Sequence, residues 1–192
     1  MLGRVCNRTL LGILVPMALL QTAWSASAPL VADAYVSSSL ATNNLGTVVN
    51  LNVGPGANNQ ALVRFDVSGS LPPGTSATSV AKAVLKVWVN KVTTPGAVDV
   101  SAAASPWTET GVTYNTAPLA GTAVPGPNPV TTTGSYLAID VTGLVKYWID
   151  NPGQNHGFLL ASSAATPATN ISLDSKENAT TSHPAELDIA RR

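Results

Sequence analysis

The chain is built from short runs in which apolar and polar residues alternate. The clearest spans Ser79 to Asn90, where Leu85, Val87 and Val89 share one parity and Lys82, Val84, Lys86 and Trp88 the other. A period of two is the mark of a strand with one buried face. Similar runs cover Ala32 to Ser37, Thr47 to Val53, Gln60 to Val67, Ala97 to Ala103, Tyr136 to Val141, Gly157 to Ser162, Asn170 to Ser175 and Ala185 to Ile189. Turn formers bound them, as in Gly54-Pro55-Gly56, Leu71-Pro72-Pro73-Gly74 and Thr94-Pro95-Gly96. Helical spacing appears once. Leu144, Val145, Trp148 and Ile149 would share one face of a short helix over Val141 to Asp150, stopped by Asn151-Pro152-Gly153. The stretch from Ala117 to Pro129 carries four prolines and two glycines and reads as a surface loop. These elements predict an all-β fold, a single jelly-roll β-sandwich with one short helix.

The first residues follow a different pattern. Arg4 and Arg8 precede an apolar run from Leu10 to Leu20, about eleven residues long, the length of a secretory signal core. A membrane span needs roughly 20 apolar residues, so an anchor is not expected. Small residues at Ala23, Ser25, Ala26, Ser27 and Ala28 offer a cleavage region. Residues 1–28 therefore read as a cleavable signal peptide, cut somewhere in 25–28, and residues 29–192 as the module. The expected location is secreted, extracellular or periplasmic. The lone Cys6 would leave with the signal, so no disulfide or thiolate chemistry is expected. Losing Arg4 and Arg8 leaves eight Lys and Arg against ten Asp and Glu, a net charge of −2. That balance lacks the basic footprint of a nucleic-acid binder.

The residues also resemble a known family. Asp33-Ala34-Tyr35-Val36, Asn43-Asn44-Leu45-Gly46 and Ala61-Leu62-Val63-Arg64-Phe65-Asp66-Val67 are similar to the opening of a DNRLRE domain, grouped with carbohydrate-binding module family 96. The likeness continues through Pro106-Trp107-Thr108-Glu109, Val112-Thr113-Tyr114-Asn115-Thr116-Ala117-Pro118, Asn155-His156-Gly157-Phe158 and Ser175-Lys176-Glu177. Tyr114 and Lys176 stand where the family often has Trp and Arg. The resemblance implies a non-catalytic jelly-roll module that binds polysaccharide, with acidic polysaccharide a ligand class of the family. No attached catalytic domain is expected. Alternatives are a structural or adhesive surface protein on the same sandwich, or a small secreted polysaccharide-active enzyme.

Candidate sites follow. Trp88, Lys86 and Lys82 project from one face of their strand, with Arg64 expected to join from a neighbour. A ring can stack on a sugar, and cationic groups can meet uronate carboxylates. The competing reading is a solvated face with Trp88 half-buried under a loop. Trp107, Glu109, Tyr114 and Asn115 offer an aromatic and polar sugar contact on a loop; the competing reading, which is preferred, is a structural corner with Trp107 buried and Glu109 accepting backbone N–H bonds. Asp33, Glu177 and Asn178 offer hard oxygen ligands for a structural calcium ion; otherwise they cap turns or pair with Lys176. No catalytic residue is expected, since His156 and His183 sit in turns outside any nucleophile or metal motif.

Overall fold

A computed structural model describes residues 24–192, excepting the Trp24 side chain. The leader expected over 1–28 lies, up to residue 23, outside the described residues. Twelve strands and one helix follow in order: β1 Trp24–Ala28, β2 Leu30–Ser37, β3 Asn50–Val53, β4 Asn59–Phe65, β5 Val80–Thr94, β6 Gly96–Ala103, β7 Ala120–Ala123, β8 Asn128–Val130, β9 Ser135–Asp140, α1 Thr142–Asp150, β10 Phe158–Ser162, β11 Asn170–Asp174 and β12 Glu186–Arg191. They form the expected all-β sandwich with one short helix. All pairings are antiparallel. One sheet joins β1, β12, β5, β11, β3 and β9, and the other joins β2, β4, β10, β6, β7 and β8.

The core comes from alternate positions of both sheets. Leu85, Val87 and Val89 of β5 meet Leu51, Ile171, Leu173, Leu187 and Ile189 within their own sheet and Ala61, Val63, Phe65, Phe158 and Leu160 from the opposite one. The helix adds Leu144, Val145 and Trp148. Trp148 is buried edge-on to Phe158 with ring centres 4.7 Å apart. Gly157 precedes β10 with φ +87°, and a Cβ there would lie 2.5 Å from the Val63 carbonyl oxygen. Only glycine allows both that conformation and that approach.

Three expectations change. Trp24–Ala28 is no mere processing region: it pairs with β12 along its length, and Ala26 and Ala28 are buried. The Ala117–Pro129 loop contains two short strands, β7 and β8, both on β6. They lie at a sheet edge, where Pro129 removes no ladder bond from a further strand. The strand expected from Thr47 starts at Asn50.

The register on β5 exposes a break in the first sheet. Val84, Leu85 and Lys86 pair with both β9 and β12, so these flank opposite edges. Val89 pairs with both β9 and β11, so these also lie on opposite edges. Hence β11 and β12 run end to end along one edge of β5. Between them, beside Val87 and Trp88, the chain leaves the sheet over residues 175–185.

Candidate functional site

The two outer faces of the sandwich differ. Over β2, β4 and β10 the segment 104–118 lies flat and makes a second apolar cluster, in which Trp107 and Val112 cover Ala32, Ala34, Val36, Leu62 and Leu159. Trp107 is 5 % exposed, and its Nε1 donates to the His156 carbonyl at 2.7 Å. Arg64 belongs to this face. Its guanidinium stands 5.6 Å from the Trp107 ring centre and donates to the Trp107 carbonyl. Arg64 therefore does not join Trp88: β4 is in the other sheet, a pairing that strand parity alone does not specify.

Asn44 ties this covering segment down. Its Nδ2 donates to the carbonyls of Glu109 and Val112, both at 2.7 Å. Gly46 lies so close that a Cβ there would fall 2.1 Å from the Glu109 carbonyl oxygen. Glu109 itself does not lock backbone N–H groups as expected. Its carboxylate accepts from the Lys176 ammonium.

That contact belongs to an acidic nest at the edge between the sheets. Carboxylate oxygens of Asp33, Glu109 and Glu177 lie within 4.8 Å of one another, a group compatible in type with a metal ion. Asp33 is 1 % exposed, and its Oδ2 accepts from the Lys176 backbone N–H at 2.8 Å. Its Oδ1 and Glu177 Oε2 are buried without a hydrogen-bond donor. The Lys176 ammonium bonds Glu109 and Glu177 and stands 4.0 Å from Asp33 Oδ1. It occupies the position a bridging calcium ion would need, and like charge repels such an ion. The residues present thus fit calcium poorly while Lys176 stays there. Asn178 is not part of the group. It donates to Asp174 Oδ1 at 3.1 Å and accepts from the Thr180 and Thr181 N–H groups.

Titration in the nest follows from burial and neighbours. Burial raises Asp33 from 3.8 to about 7, with Glu177 and Glu109 adding to the rise and Lys176 opposing it. Burial works against charge on Glu177 and Lys176 too. The Lys176 hydrogen bond and charge outweigh it for Glu177, which falls, and the hydrogen bonds to Glu109 and Glu177 outweigh it for Lys176, which rises.

The outer face of the first sheet is open. Trp88 is half-buried and Tyr136 sits directly across on β9, their rings edge to face at 5.1 Å. His183, from the segment bridging the break between β11 and β12, stacks on Trp88 at 3.9 Å and 11°. This is the cover over Trp88 that the alternative reading foresaw. Buried Asp174 holds the bridging segment. It accepts from Asn90, Asn178 and Thr181, and its Oδ2 lies 3.7 Å from His183 Nδ1. Ser182, next to His183, has φ +54°.

Lys86 lies on this face but is engaged. Its ammonium is 2.5 Å from Asp188 and 3.4 Å from Glu186 on β12. The Asp188 hydrogen bond raises its pKa most, against burial. Tyr136 donates to the other Glu186 oxygen at 3.1 Å; burial first, then Glu186, raises the phenol. Lys82 shares the face, yet six residues of strand put it roughly 20 Å from Trp88. Beyond Trp88, Asn90 of β5 reaches over β11 to Asn50 of β3, and Ser172 of β11 meets Asn52 on the neighbouring β3. His183, Tyr136 and the two β12 carboxylates were not foreseen as partners. Tyr136 carried the right parity, but no sequence signal places His183.

A separate recess of about 530 Å³ lies between Thr122–Pro125 and the start of α1, lined by Val124, Val141, Leu144 and Tyr147. Its carboxylate, Asp140, is turned to the Thr142 hydroxyl and N–H, which lower its pKa.

The antiparallel sandwich thus has one outer face covered in part by its own 104–118 segment and the other carrying half-buried rings beside hydrogen-bonding groups. The sequence profile of carbohydrate-binding module family 96 matches residues 25–189, and the chain belongs to that family. No curated protein matches it.

Proposed function

We propose that the chain is a secreted, non-catalytic polysaccharide-binding module that contacts its ligand on the open face around Trp88. Family membership supplies the carbohydrate. The observation that carries the site is the grouping of Trp88, His183 and Tyr136 beside Glu186. Rings offer an apolar surface to the C–H face of a sugar, while carboxylates and amides accept and donate to its hydroxyls. A non-catalytic role fits the carboxylates, since Glu186 and Asp188 both hold Lys86 and Glu109 and Glu177 both hold Lys176. Neither pair has the unencumbered acid and base of a hydrolase.

Affinity electrophoresis in polysaccharide gels tests the site. Trp88→Ala is expected to weaken retention about tenfold or more while leaving the melting temperature near that of wild type. Unchanged retention would move the site elsewhere, with Tyr147→Ala as the comparison at the recess.

Secretion is supported by the leader pattern. Burial of Ala26 and Ala28 in a paired strand favours cleavage after Ser25, within Ala23-Trp24-Ser25, over cleavage after Ser27. Amino-terminal sequencing of the secreted chain decides between the two.

A further inference from the structure

We infer that the Trp88 face takes a neutral polysaccharide and selects against uronate polymers. The inference rests on the Trp88 reading of the site and names its ligand class. Charge complementarity at the distance of one sugar ring decides between the two classes. Glu186 stands beside the rings on β12, and Lys86, paired with it, is held by Glu186 and by Asp188 farther along the strand. The one ammonium of the immediate surroundings is therefore occupied by two carboxylates. Buried Asp174 adds a third carboxylate beneath His183.

The remaining charges of this face are farther off. Lys82 lies roughly 20 Å along the strand and Lys91 roughly 10 Å in the other direction, at or beyond the screening length of about 8 Å in physiological salt. Asp140, paired opposite Val84, sits at the Lys82 end and offsets it. A uronate on Trp88 would face net negative charge without an available cation. A hydroxyl-rich neutral ring meets acceptors on Glu186 and Asp188, the amides of Asn50 and Asn90, and the phenol of Tyr136. Like-charge juxtaposition is how an interface rejects the wrong partner.

The test uses the full mature chain, with retention on neutral polymers (hydroxyethylcellulose, galactomannan, soluble starch), on sodium alginate and on chitosan, across a salt series. The expected result is binding to one or more neutral polymers that does not change with salt, about tenfold stronger than to alginate, and lost in Trp88→Ala. Glu186→Gln with Asp188→Asn frees Lys86 and should raise alginate binding about fivefold in a salt-sensitive manner. Its fold is checked by its melting curve, and the wild-type comparison stands without it. Preference for alginate or chitosan, with Trp88→Ala still abolishing binding, overturns the ligand class and leaves the site intact. Trp88→Ala without effect on any polymer overturns the site, and the ligand class with it.

Discussion

Two tryptophans on the outer faces of the same sandwich have opposite surroundings. Trp107 lies under its own loop, with its N–H bonded to a carbonyl and a guanidinium over its ring. Trp88 stands on the outer face of the first sheet, with the Tyr136 ring beside it and an imidazole laid on it from a segment crossing a break between two strands. The first arrangement fills a core position, so its loss leaves a hole. The second holds apolar surface in place without sealing it. A ring closed in by backbone hydrogen bonds stabilises the fold, whereas a ring covered by a polar segment can meet a ligand.

The largest effect should come from the sealed side. Trp107→Ala removes the centre of the second cluster and leaves Arg64 without its ring. A loss of about 3 to 5 kcal/mol is expected, read as the midpoint of urea unfolding. Trp107→Phe should recover much of it. A Trp107→Ala midpoint equal to that of Trp88→Ala would erase the distinction between the two faces.

Next is the lysine that joins the sealed face to the sheet edge. Lys176→Met leaves Asp33, Glu109 and Glu177 facing each other without a counter-charge. Removing one partner of a largely buried ion pair costs about 3 to 5 kcal/mol; with Lys176 29 % exposed, about 2 kcal/mol is expected after solvent screening. Wild type should melt at the same temperature in EDTA and in added calcium, because the ammonium already stands in the nest. Lys176→Met should become calcium-stabilised, as three carboxylates then lack a cation. Calcium stabilising wild type as strongly as Lys176→Met would show that the ammonium yields to the ion.

Legibility in the sequence was uneven for physical reasons. β5 could be read because its alternation runs unbroken and both parities are unambiguous. The helix could be read because its stripe ends at Asn151-Pro152-Gly153. β1 could not, since Ser25-Ala26-Ser27-Ala28 serves equally as a processing region and as a small-residue strand. Only its pairing with β12, at the far end of the chain, separates the two. Parity put Lys86 beside Trp88 correctly, but its availability was decided by Glu186 and Asp188, about a hundred positions away. Arg64 failed for the same reason, since strand parity gives a face and never a sheet. In the nest, Asp33 and Glu177 lie together, while Glu109 came from a loop held by the Asn44 bonds and by the buried Trp107, contacts that no spacing signals.

The smallest effect concerns pH and separates the nest from the open face. Asp33 titrates near 7 in the folded chain against 3.8 for an ordinary aspartate. Between those values the folded state holds a proton that the unfolded state has released. The stability this group contributes is therefore fully present below about pH 4 and declines as pH rises toward 7. Glu177, with its pKa depressed, has the opposite sign: its contribution is present above the unfolded value and fades in acid. The two windows do not coincide, so a comparison from pH 5 to 8 isolates Asp33. Asp33→Asn keeps an oxygen for the Lys176 N–H and removes the titration. The difference in melting temperature between Asp33→Asn and wild type should move in favour of the variant as pH rises through this range. Taking the difference cancels both histidines, including His183 over Trp88. A difference that stays flat would mean that Asp33 is ionised throughout, with Lys176 balancing the nest at every pH. Polysaccharide retention at Trp88 should be the same in Asp33→Asn and wild type, because the nest sits at the sheet edge and the rings stand on the open face.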